Sequence, residues 1–81
     1  AMYLFRPRSP ARRHLPILSR HILERDPVQV RLGDQIGSLP VEEGAELELA
    51  SDALGGAHLL VWSPSPKRLL LVDRADLAEA D

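Results

Sequence analysis

Six arginines crowd the first 25 residues of this 81-residue chain, Arg6, Arg8, Arg12, Arg13, Arg20 and Arg25, against a single acid, Glu24. A guanidinium fork suits bidentate contact with phosphate better than an ammonium does, so this third of the chain is chemically fitted to an anionic partner. Residues 26–81 hold four bases and eleven acids, and would repel the same polyanion. An intramolecular reading stands level with this one: the basic segment lies over the acidic remainder, or is simply solvated. The use of arginine at all six positions tilts the balance toward an anionic partner.

Other chemistries find less support. His14, His21 and His58 lack the spacing of a metal site and no His-Glu-x-x-His pattern accompanies them, so no metal or cofactor is expected. Absence of cysteine excludes disulfides and thiolate zinc centres. Ser19 beside His21 lacks the orienting acid and oxyanion donors of a triad. Gly33-Asp34-Gln35-Ile36-Gly37 lacks the third glycine and the strand–loop–helix setting of a nucleotide loop. Glu42-Glu43 and Glu46/Glu48 read as a solvated face. Trp62 could stack a base, but a lone tryptophan near a strand end reads first as a core plug. Nothing here points to an enzyme.

The elements that must position these groups are short. A chain of this length makes one small domain, which buries only about 60% of its unfolded surface. Phe, Trp and Tyr occur once each, so the core must come from Leu, Val, Ile and Ala. Residues 6–16 hold three prolines and four arginines, and 1–16 reads as a basic, extended, mobile arm. Residues 17–81 read as a single β domain with an inserted connector at 33–44. Ile17–Ile22 is a short apolar stretch, and Val28-Gln29-Val30-Arg31-Leu32 alternates as a half-buried strand does. Three further strands are predicted at 46–51, 57–62 and 68–73, with Gly55-Gly56 marking the first turn because both glycines can take φ > 0. Asp73 is placed to cap a short C-terminal helix from Arg74 or Ala75 onward. No apolar run approaches the ~20 residues that span a bilayer and no secretory signal is visible, so the expectation is a cytoplasmic domain without a membrane partner.

Four segments, in order, resemble the carbon storage regulator (CsrA/RsmA) family. Ile17-Leu18-Ser19-Arg20 is similar to its first-strand motif, and Asp52-Ala53-Leu54-Gly55-Gly56 to its central turn. Val61-Trp62-Ser63-Pro64 is similar to the strand that ends in Ala-Pro, and Val72-Asp73-Arg74-Ala75-Asp76-Leu77 to the segment that opens the C-terminal helix. The chain departs from the pattern at His21 and Leu23, in the connector 33–44, and in the residues ahead of Ile17. Tyr3-Leu4-Phe5-Arg6 is a rival for the first strand.

The resemblance implies a mostly β, small antiparallel domain that forms an interlocked, strand-swapped homodimer with a short C-terminal helix. The run Leu69-Leu70-Leu71-Val72, apolar on both faces, fits burial between two chains. It also implies an RNA-binding post-transcriptional regulator that recognises GGA-type hairpin loops in messenger RNA leaders. The binding residues carried over are Leu18, Ser19, Arg20, Val72 and Arg74. The alternative is a protein-interaction module, or a transcription-regulator-like β dimer, without RNA binding. The acidic body favours that alternative, because RNA binders are usually basic. A basic stripe joining Arg20 to Arg74 would mark the first reading and an apolar patch the second.

Overall fold

Pairs of apolar residues that alternate between two faces organise the centre of the molecule. The computed structural model describes residues 1–19 and 32–80. Seven strands, β1 (Met2–Phe5), β2 (His14–Leu18), β3 (Gln35–Pro40), β4 (Glu46–Ser51), β5 (His58–Trp62), β6 (Leu69–Asp73) and β7 (Leu77–Glu79), form one antiparallel sheet in the order β3-β2-β6-β5-β4-β1-β7. Across β5 and β6, Leu59↔Val72 and Val61↔Leu70 face one side, and Leu60↔Leu71 and Trp62↔Leu69 face the other. Phe5, Leu15, Val41, Leu47, Leu59, Val61, Leu70 and Val72 build the main core. Leu18, Leu60 and Leu69 build a second cluster with Leu54, Trp62 and Leu71 against it.

The sheet curls on itself. β6 and β7 stand four places apart in the strand order, which is ~19 Å across a flat sheet at ~4.8 Å per strand. Only the three-residue 3-10 turn Arg74–Asp76 joins them, a rise of about 6 Å. The sheet must therefore curl into a small barrel around the main core. Two bulges bend it. Leu49 pairs with Val61 and Ser51 with Leu60, leaving Ala50 as the extra residue of β4. Ile17 pairs with Gly37 and Leu18 with Gln35, leaving Ile36 as the extra residue of β3.

Strands β4, β5 and β6 fall where the short apolar segments between turn signals place them, within the expected 46–51, 57–62 and 68–73. Gly55 and Gly56 take φ of +66° and +62°, although they lie within a longer loop between β4 and β5 rather than forming a two-residue turn. Three expectations are corrected. Residues 6–16, read as an extended arm, contain a 3-10 turn at Pro10–Arg13 and enter β2 at His14. The connector 33–44 contains β3, which pairs with β2 in spite of Gly37 and Pro40. The residues after Asp73 form one 3-10 turn and then β7, where a C-terminal helix was expected.

Physical causes are visible for these differences. Arg6 donates its N–H to the carbonyl of Asp76 at 2.7 Å, and β1 offers a free edge that takes Leu77–Glu79 as a strand. Pro40 ends β3 at the sheet margin, where its missing N–H is tolerated. Residues 28–31 of the predicted strand Val28–Leu32 lie outside the described residues. The two-sided burial of Leu69–Val72 is met within one chain, by the barrel core on one side and the second cluster on the other. Among the described residues no helix is long and apolar enough to cross a membrane.

Candidate functional site

Curling of the sheet brings the arginine-rich segment onto the acids of the second 3-10 turn. Asp73 caps that turn by accepting the Ala75 N–H at 2.9 Å. Asp76, its side chain only 2% exposed, accepts the Arg12 Nε–H at 2.8 Å and both the backbone N–H and Nε–H of Arg8 at 3.0 Å. Arg8 and Arg12 also reach Asp73 Oδ2, at 2.8 and 3.2 Å. Arg13 pairs with Glu42 at 2.7 Å. Burial pushes the Asp76 carboxyl up, but the donors from Arg12 and Arg8 outweigh it and hold the group below the usual aspartate range. The Ala75 N–H and the two arginines likewise lower Asp73. Three arginines of the basic segment are thus committed to carboxylates of the same chain, which is the intramolecular arrangement.

Of the five residues carried over from the resemblance, the four that are described, Leu18, Ser19, Val72 and Arg74, do not form one surface within the chain. Leu18 and Val72 are buried in the second cluster and the main core respectively. Ser19 follows β2, and its N–H donates to the carbonyl of Asp34 at 3.0 Å. Arg74 is exposed, and its Nε–H donates to the carbonyl of Gly56 at 3.3 Å. With Ile17 opposite Leu70, Ser19 and Arg74 lie near opposite ends of the β2–β6 pair, ~20 Å apart at ~3.3 Å per residue. Arg20 lies outside the described residues.

A different surface stands out. Beside the β5–β6 turn, Ile17, Leu18, Ile36, Trp62 and Leu69 form the floor of a groove of about 410 Å³, and Lys67 and Arg68 form its rim. The bulge in β3 aims Ile36 outward, where it is 64% exposed. Leu32, at 50%, is the other large apolar residue exposed among the described residues. Lys67 Nζ lies 5.3 Å from the centre of the Trp62 ring, within cation–π range. The turn that carries both cations is tied down by Ser63, whose N–H donates to the Arg68 carbonyl and whose Oγ accepts the Arg68 N–H, each at 3.0 Å. The Ser63 hydroxyl also donates to the Pro66 carbonyl.

Trp62, read as a core plug, packs on the second cluster and lines the groove as well. Ile36, Lys67 and Arg68 were missed as site residues. The available signal was a large apolar residue inside the glycine-flanked segment Gly33–Gly37. A second, smaller cavity of about 290 Å³ is lined by His14, His58, Arg12, Asp73 and Asp76, but its acids are occupied by the arginine contacts. Among the described residues no cluster of three or more His, Cys, Asp or Glu could hold a metal ion. Comparison of the chain with protein-family models, curated proteins and solved structures finds no match.

Proposed function

We propose that this domain is a non-enzymatic protein-interaction module that binds its partner in the groove floored by Ile36 and Trp62. One observation carries the reading: a bulge presents Ile36 to solvent beside the groove, against the tendency of a small fold to bury large aliphatic side chains. An apolar floor with a polar rim is the usual anatomy of a protein-binding surface, and a half-buried tryptophan is a common anchor in one.

RNA binding is the second reading. Beyond the family resemblance, an aromatic ring flanked by Lys67 and Arg68 is also a platform for an unpaired base. It ranks second because Arg8, Arg12 and Arg13 are neutralised within the chain, which removes much of the charge a phosphate backbone would meet. A homodimer and a cytoplasmic setting belong to that reading too, and sedimentation velocity over a concentration series tests the dimer.

Fluorescence anisotropy separates the two. A labelled hairpin with a GGA loop and one with a scrambled loop are titrated at two salt concentrations, with Arg74→Ala in parallel. The interaction-module reading expects no loop preference. Loop-specific, salt-weakened binding that is lost in Arg74→Ala would replace it with the RNA reading.

A further inference from the structure

Charge around the groove is arranged differently from charge on the rest of the molecule. Residues 32–80 carry nine acids and three bases, and two of those bases, Lys67 and Arg68, sit side by side on the groove rim. No acid lines the groove among the described residues. Arg8, Arg12 and Arg13 each hold a carboxylate within 3.2 Å, whereas Lys67 and Arg68 have no carboxylate partner among the described residues. Among the described residues, an acidic domain thus presents two cations without a carboxylate partner beside its exposed apolar surface.

From this juxtaposition we infer that the groove takes an acidic peptide segment: an apolar anchor that seats on Ile17, Ile36 and Trp62, flanked by carboxylates that pair with Lys67 and Arg68. This inference rests on the interaction-module reading and specifies the partner's chemistry. The apolar contact supplies most of the affinity. The charge pairs at the rim set orientation and disfavour basic segments at contact distance. The acids elsewhere on the domain act in the opposite sense at long range, repelling an acidic peptide and attracting a basic one, so selection rests on the two rim cations at contact distance.

Selection from a displayed random dodecapeptide library tests this with the intact chain. Peptides retained by the parent and lost with Ile36→Glu are groove ligands. They are expected to carry Asp or Glu on either side of a Leu, Phe, Ile or Trp. Synthetic copies should change the emission of Trp62, the single tryptophan of the chain. Their affinity should fall on the order of tenfold in the Lys67→Glu/Arg68→Glu protein and weaken with added salt. Circular dichroism of both variants confirms that they fold. Groove ligands that are neutral or basic, or acidic ones indifferent to the charge reversal, would overturn the inference and leave the module reading standing. Recovery of no Ile36-dependent peptide would overturn both. Binding of single-stranded RNA at the groove, lost with Trp62→Ala, would overturn both in favour of the nucleic-acid reading.

Discussion

Arg12 Nε and Asp76 Oδ2 are 64 residues apart in sequence and 2.8 Å apart in space. Their contact ties the turn after β1 to the turn that joins β6 to β7. Arg8 binds the other carboxylate oxygen, so Asp76 is satisfied on both sides while it is excluded from water. A buried carboxylate is tolerated only under such conditions. Substituting Asp76→Asn retains the shape and removes the charge, and sets an amide NH2 donor against one of the two guanidinium groups while the other keeps only a neutral acceptor. The expected loss is about 2–4 kcal/mol, below the upper range for buried pairs because both arginines are partly solvated. The urea midpoint at neutral pH checks this, and an unchanged midpoint would mean the contact is only incidental.

The same carboxylates set the response to acid. Asp73 and Asp76 both titrate below the usual aspartate range in the folded chain. A lowered folded-state value means their contribution is complete above the unfolded value of about 3.9, and fades as pH drops through the folded values beneath it. Unfolding free energy should therefore hold steady from pH 7 to about 5 as far as these two groups are concerned, and then decline steeply below about 4. Asp76→Asn should show a shallower acid limb than the parent. Parallel limbs in the two proteins would assign acid sensitivity to other carboxyls.

Burial on both faces of β5 and β6 predicts two separate core penalties. Phe5 is fully buried in the main core, and Phe5→Ala should destabilise by about 3–5 kcal/mol. Leu60 faces the opposite side and is 1% exposed, so Leu60→Ala should cost about 2–4 kcal/mol. Thermal unfolding of both variants at several protein concentrations is the measurement. A concentration-dependent midpoint would show that burial of the second cluster is completed by another chain.

Gly55 and Gly56 both occupy the left-handed region, and an added Cβ at either would meet nothing within 4 Å. Alanine at either position should therefore act through the backbone alone, destabilising by about 1 kcal/mol each. The double variant should show roughly the sum. A much larger loss would mean that the loop conformation is coupled to the β5–β6 packing beneath it.

Ile36→Glu separates binding from folding. Its side chain is mostly exposed, so the change should alter stability by less than about 0.5 kcal/mol. Binding of groove ligands should be lost. Stability and binding falling together would mark Ile36 as a packing residue rather than a contact.

Much of the central sheet was legible from local signals. Glu46-Leu47-Glu48-Leu49 alternates, and Leu59–Trp62 and Leu69–Val72 are short apolar runs bounded by turn residues. β3 was hidden because Gly37 and Pro40 are turn residues in isolation, and only an edge position in a sheet makes both acceptable. The segment after Asp73 contains good helix formers in Ala75, Leu77 and Ala78, but the edge of β1 outweighs local propensity there. The destinations of Arg8 and Arg12 were beyond sequence reasoning, since each contact spans more than 60 residues. The groove was equally hidden. It draws Ile36 from a bulge, Leu18 from the end of β2 and Lys67 from a hairpin turn, and no linear pattern joins them.

Pairing of β1 with β7 also has a mechanical side. Tyr3 lies opposite Glu79, and the Ala80 N–H donates to the Met2 carbonyl at 3.1 Å, so the chain enters and leaves the barrel at one point. Tension applied through flanking polypeptide would load this seam as a zipper, parting its bonds one after another, where a sheared ladder would share the force among them. The same adjacency makes the domain an easy guest. It can sit within a loop of a host protein without prising the host's two attachment points apart, and joining its ends while opening the chain at Gly55-Gly56 leaves every strand pairing in place.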